Sequence, residues 1–171
     1  DLGNEWTVNV HGTVETIGSY ATAIRAADSA QITLHDGATV STQANSARGI
    51  DVGYSGTVTV EDGASIVTGG DFADGIFAED GSTVTVNGRV ETSGDLAEAV
   101  FVGDDSIVDI GGTAEIVGDI FLGGGGELTV ADDAQVEGTA QVSTGAQVDF
   151  GGDGELILIS GAGADIHLTE T

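Results

Sequence analysis

The chain has 171 residues with 29 Asp or Glu against three Arg and no Lys, a formal charge of −26. A field of that sign repels phosphate backbones and anionic lipid headgroups, which sets aside nucleic-acid and membrane-surface binding. Cys is absent, which excludes disulfides, thiolate catalysis and cysteine-based zinc or iron–sulfur sites.

Hydrophobic residues are 40% of the chain, enough for a core, and aromatics only 5%, so that core is Val, Ile, Leu and Ala. The longest purely aliphatic run is Leu156–Ile159, too short for direct membrane insertion as a helix. No basic leader opens the chain at Asp1, so a signal already removed, or an excised fragment, is expected.

A β-branched triplet recurs along the chain. It reads Val8-Asn9-Val10, Ile32-Thr33-Leu34, Val58-Thr59-Val60 and Val84-Thr85-Val86. It continues as Val108-Asp109-Ile110, Leu128-Thr129-Val130, Val148-Asp149-Phe150 and Ile166-His167-Leu168. The steps are 24, 26, 26, 24, 20, 20 and 18 residues. Every length change is even, so each strand keeps its inward face. A second strand follows the triplet after four or six residues. A third, marked by Ile24, Ile50, Ile76, Val100 and Ile120, always precedes the next triplet by eight. Between the second and third strands the first four repeats insert a segment with fixed spacing: Thr16 to Ala21, Thr42 to Ala47, Thr68 to Ala73 and Thr92 to Ala97. From the fifth repeat it is gone.

Three short alternating strands per repeat, with Gly and Asp-Gly corners, describe a solenoid. The expectation is an all-β, single-domain parallel β-helix of about seven turns over 1–171, with long turns over 7–107 and shorter ones over 108–171. Right-handed crossover is the rule for parallel strands. Turns stacked at strand spacing make a rod about 35 Å long. The inward columns predicted are Val8/Ile32/Val58/Val84/Val108/Leu128/Val148, Val14/Val40/Ile66/Val90/Ile116/Val136/Leu156 and Ile24/Ile50/Ile76/Val100/Ile120/Ala140.

The stretches "ATVSTQANSARGIDV" (38–52) and "TGGDFADGIFAEDGSTVTVNGRVETSGDLAEAVFV" (68–102) resemble passenger repeats of bacterial autotransporters. The T-x-G-D-x-A-x-G-I pattern, followed by a Gly or Asp turn and V-T-V, carries the likeness, which spans residues 7–171. The resemblance implies type V secretion, an extracellular place on a bacterial outer-membrane surface, no cofactor, and a structural or adhesive role. The family's membrane β-barrel has no counterpart in these repeats, so the chain reads as part of a passenger.

Function would lie on outward columns. The third strand's outward column is Arg25, Asp51, Phe77, Phe101, Phe121 and Gln141. Arg25 is expected to pair with Asp51 and Arg89 with Glu115. Phe77, Phe101 and Phe121 form an aromatic stripe suited to partner contact, by self-association or with a host or surface ligand, protein or glycan. Acidic columns Asp71/Asp95, Asp74/Glu98 and Asp80/Asp104, with Asp105 alongside, offer oxygen ligands at a separation that suits Ca²⁺. The plainer reading is a solvated acidic face whose Asp residues cap turns.

His11, His35 and Glu61 share one turn column. The outer two stand about 10 Å apart, too far for one ion to hold all three. Thr33, Thr59, Thr85 and Thr129, with Thr57 and Thr83, make an outward threonine array. Such an array is similar to that of ice-binding solenoids, although Asp109 and Asp149 interrupt it. Catalysis is not expected. Lys is absent, no G-x-S-x-G elbow occurs, and the acidic field would repel acidic polysaccharide. A carbohydrate-binding or carbohydrate-active β-helix is the alternative, and ice binding the third.

Overall fold

The computed structural model describes residues 6–151, 153–161 and 163–168. Among them there are twenty strands and no helix. The first-face strands are β1 (Thr7–Val10), β4 (Gln31–Leu34), β7 (Thr57–Val60), β10 (Thr83–Val86), β13 (Ile107–Ile110), β16 (Glu127–Val130), β18 (Gln147–Phe150) and β20 (Asp165–Leu168). They form one eight-stranded parallel sheet in that order.

The second face holds β2 (Thr13–Thr16), β5 (Thr39–Thr42), β8 (Ser65–Thr68), β11 (Arg89–Thr92) and β14 (Glu115–Val117). The third holds β3 (Ile24–Ala26), β6 (Ile50–Val52), β9 (Ile76–Ala78), β12 (Glu98–Val102) and β15 (Asp119–Leu122). Beyond these, β17 (Gln135–Val142) and β19 (Asp153–Ser160) each run through both faces without a break. β17 pairs with β14 and β15 together, so the second and third faces merge into one twelve-stranded sheet. The fold is therefore a parallel β-helix. Six turns are complete through β17; β18 with β19 follows as a further round, and β20 opens another.

Alternation explains why these residues make these strands. In β4, β5, β7, β8, β10 and β11 every second side chain is buried. The buried set follows the predicted columns apart from Val8 and Val14 in the first turn, which are half-buried: Ile32, Val58, Val84, Val108 and Leu128 are paired in register and fully covered on the first face. Val40, Ile66, Val90 and Ile116 do the same on the second, and Ile50, Ile76, Val100 and Ile120 on the third. The core is continuous from Val10 to Val148. Ala38, Ala64, Ala114 and Ala134 are buried at the corner between the first two faces.

One column needs correction at its end. Val136 pairs with Gly154, and Leu156 pairs with Gly138. The predicted column carried the preceding 20-residue step past Val136. The step is already 18 residues there, as the β18–β20 pairing of Gln147 with Asp165 also has it. The side chain of Leu156 lies outside the described residues.

Loss of the inserted segment is absorbed at one corner. Gly118 stands between β14 and β15 with φ of 131°. A Cβ there would lie 2.2 Å from Thr92 Oγ1. The chain turns directly from second to third face only because this residue has no side chain.

Candidate functional site

The inserted segment is a compact loop held the same way in all four long turns. The hydroxyls of Thr16, Thr42, Thr68 and Thr92 donate to the carbonyls of Ala21, Ala47, Ala73 and Ala97, five residues on, at 2.6, 2.5, 2.6 and 3.3 Å. The residue before each Ala is left-handed: Tyr20, Ser46, Phe72 and Leu96 have φ of 62, 57, 56 and 55°. The N–H groups of the first three are spent on stacking, Tyr20 to the carbonyl of Asn45, Ser46 to Asp71 and Phe72 to Asp95, at 3.1, 2.8 and 3.0 Å. Their side chains stand outward as a ridge, and Tyr20, Phe72 and Leu96 are 81, 57 and 73% exposed.

Beside the ridge runs the phenylalanine ladder on the third face. Phe77 pairs with Phe101 and Phe101 with Phe121, as the sequence predicts. The rings stack with centroids 4.7 Å apart and interplanar angles of 9 and 6°. That separation is the spacing between neighbouring strands, so in-register pairing itself brings the rings face to face. The three are half-buried rather than fully outward.

Arg48 closes the ladder. Its Cζ lies 3.5 Å from the Phe77 ring centroid. Its Nε donates to Asp74 Oδ2 at 2.9 Å and its Nη1 approaches Asp51 Oδ2 at 3.4 Å. Arg25 reaches the same Asp51 oxygen at 2.9 Å, the predicted pair. Arg89 bonds Glu115 at 3.0 Å, also as predicted, and contacts Glu91 as well. The role of Arg48 was not anticipated. The signal was available, because Arg48 to Asp74 repeats the 26-residue offset of Arg25 to Asp51. The ridge was missed too; its signal is the bulky residue before each motif Ala.

Between ridge and ladder lies a groove of about 320 Å³, with Phe72 and Leu96 on one side, Phe77 and Phe101 on the other and Arg48, Asp74 and Glu98 completing it. Asp74 is buried, and its Oδ1 accepts the Glu98 N–H at 3.2 Å. Burial pushes the Glu98 carboxyl up to about 7, helped by a hydrogen bond to Asp74 and by the charges of Asp74 and Asp119. Asp119 is the strand partner of Glu98.

The other acids proposed as calcium ligands are spent largely on the backbone. Asp71 Oδ1 accepts the Asp95 N–H at 3.1 Å, and Asn45 bonds Asp71 from the turn before. Asp80 accepts from Asp104 at 3.0 Å and Asp104 from Gly124 at 2.7 Å. Each carboxylate thus staples its turn to the next. Asp105 sits beside Asp104 at φ of 54°. No group of three or more His, Asp or Glu among the described residues is placed to hold a metal.

His11 and His35 are stacked at 4.2 Å rather than converging on a point. Both His35 nitrogens are occupied, Nδ1 with Glu61 and Nε2 with Asn9, each at 3.1 Å. Thr33, Thr59 and Thr85 are in register on the first face, with Thr57 beside Thr83. Asp109 follows, then Thr129.

Fold and site together define a parallel β-solenoid carrying an aromatic ladder and an apolar loop ridge along one side. No family model matches the chain, and no curated protein and no solved structure is significantly similar to it.

Proposed function

We propose that the chain is a structural and adhesive β-helix, part of an exported autotransporter passenger, holding a contact face rigid for a partner at a bacterial cell surface. On this reading it performs no chemistry. The observation that carries it is the ridge. A bulky side chain at positive φ is strained by about 1–3 kcal/mol, and burial offsets little of that at Phe72 and Leu96, which remain 57 and 73% exposed. Ser46 occupies the same loop position with far less apolar surface. Apolar groups held in water against a local cost are a mark of contact surfaces.

The resemblance of the T-x-G-D-x-A-x-G-I repeats to passengers supports the surface location. A glycan reading is less favoured, since sugars stack on ring faces and the faces within this ladder already cover one another. Self-association would bring together two chains of charge −26 each and would require bridging or screening cations.

The test is display of the chain on a non-adherent bacterium, scored for attachment to epithelial cells. Attachment that falls on introducing Phe72→Ser with Leu96→Ser supports the adhesive role. No attachment, or attachment indifferent to the double variant, overturns it. Turnover of any glycan by the purified chain would overturn the non-enzymatic part.

A further inference from the structure

We infer that the groove between loop ridge and phenylalanine ladder takes a basic peptide segment of a partner protein. A Lys or Arg side chain would sit against the Asp74–Glu98 carboxyl pair, and an adjoining aliphatic or aromatic side chain between Phe72 and Leu96. The inference rests on the adhesive reading above and names the partner's chemistry.

Charge complementarity selects this occupant. The chain carries 29 acids against three Arg, and each Arg is already engaged: Arg25 with Asp51, Arg48 with Asp74 and Asp51, Arg89 with Glu91 and Glu115. Within the groove Arg48 lies on Asp74 and the Phe77 ring. No cation among the described residues reaches Glu98. That carboxyl shares a hydrogen bond with Asp74 on one neighbouring turn and meets the charge of Asp119 on the other. Burial first, then the hydrogen bond to Asp74 and the charges of Asp74 and Asp119, keep its proton on unusually far up the pH scale, to about 7. An arriving ammonium or guanidinium supplies the missing positive charge and releases that proton.

The apolar half of the groove sets the second requirement. A polycation alone would be drawn to any acidic stretch of the rod. The knobs at Phe72 and Leu96 favour a cation with an apolar neighbour, since both side chains lose water only when such a neighbour covers them. A second copy of the chain is opposed by its own charge of −26.

The probe is a fluorescein-labelled, amidated hexapeptide alternating lysine and leucine, compared at physiological salt with one alternating lysine and serine. Both are titrated with the intact chain by anisotropy. The lysine–leucine peptide should bind about tenfold tighter, and Phe72→Ser with Leu96→Ser should abolish that preference. Glu98→Gln should weaken binding at about pH 8 and remove its decline toward about pH 5, which follows from proton release by Glu98. Asp133→Asn, on an exposed turn remote from the groove, should change nothing. Equal affinity for both peptides, or a preference that survives the ridge variant, would overturn the inference. So would binding indifferent to Glu98→Gln. The ridge side chains lie outside the core, so an unchanged circular dichroism spectrum is expected for their variant. Peptide binding without cell attachment would sink the surface role and leave the groove. Attachment through the ridge without peptide preference would sink the basic partner alone.

Discussion

The long turns before residue 108 and the short turns after it share one core and differ in what they carry. Inward columns pass across the boundary without a break, Val84 onto Val108 and Val90 onto Ile116. The outer surface changes. All three Arg, the four threonine-closed loops and the ridge belong to the long turns. In the short turns Gly118 makes the corner directly, and β17 runs through it as one strand. This solenoid separates scaffold from contact. An even-numbered deletion leaves each strand's facing intact, so a loop can come and go while the core stays the same. The phenylalanine ladder spans the boundary, with Phe121 in the short half stacked on Phe101 in the long one.

The largest expected effect tests that shared core. Val84→Asp places a charge at a fully buried position and should cost about 4 kcal/mol or more. Leu128→Asp, in the same column among the short turns, should cost a similar amount. Urea unfolding followed by circular dichroism gives both. A long half that tolerates its substitution much better would break the equivalence of the two cores. Next in size is the corner that replaces the loop. Gly118→Ala should cost about 2 kcal/mol, since φ of 131° and the approach of Thr92 Oγ1 both oppose a Cβ. Gly12→Ala, at a long-turn corner with nothing within 4 Å, should shift stability by less than about 0.5 kcal/mol in the same measurement.

The β-helix was legible because its evidence is periodic. Val84 and its equivalents recur with even offsets, and period-two alternation fixes which face each occupies. Leu156 shows where that logic fails: a register counted from spacing inherits any error in the step length. The Phe77/Phe101/Phe121 stack and the Arg25–Asp51 and Arg89–Glu115 pairs were legible for the same reason, being contacts between equivalent positions. Phe72 and Leu96 were not, because their exposure depends on positive φ at a loop apex, which no strand pattern encodes. The state of Glu98 was hidden as well, since it arises from burial and from two neighbouring turns at once.

A medium effect sharpens the boundary between the halves. Phe101 lies between two rings, whereas Phe121 stacks on one known neighbour ring. Parallel aromatic contacts contribute about 1 kcal/mol each beyond simple burial. Phe101→Leu should therefore cost about 2 kcal/mol and Phe121→Leu about half of that, read from urea midpoints at constant slope. Equal costs would mean that the Phe77–Phe101 stack adds nothing, and no cost at Phe121 would mean that the ladder does not couple the long and short turns.

A further effect is a pH dependence confined to the long side of the boundary. The folded chain holds the Glu98 proton up to about 7, against an ordinary value of 4.5. Between those two values the folded state binds more protons at this position than the unfolded state does. Stability from this group is then fully present below about pH 4.5 and is lost as pH rises through about 7. Glu98→Gln keeps the shape and removes the titration. The variant should melt higher than the parent at pH 8, and the gap should narrow toward pH 5. Carboxylates elsewhere on the rod titrate in both proteins, so the difference between the two melting curves isolates this one. A gap that stays constant with pH would show that burial beside Asp74 and Asp119 does not hold the Glu98 proton. The groove would then present an ordinary carboxylate at neutral pH.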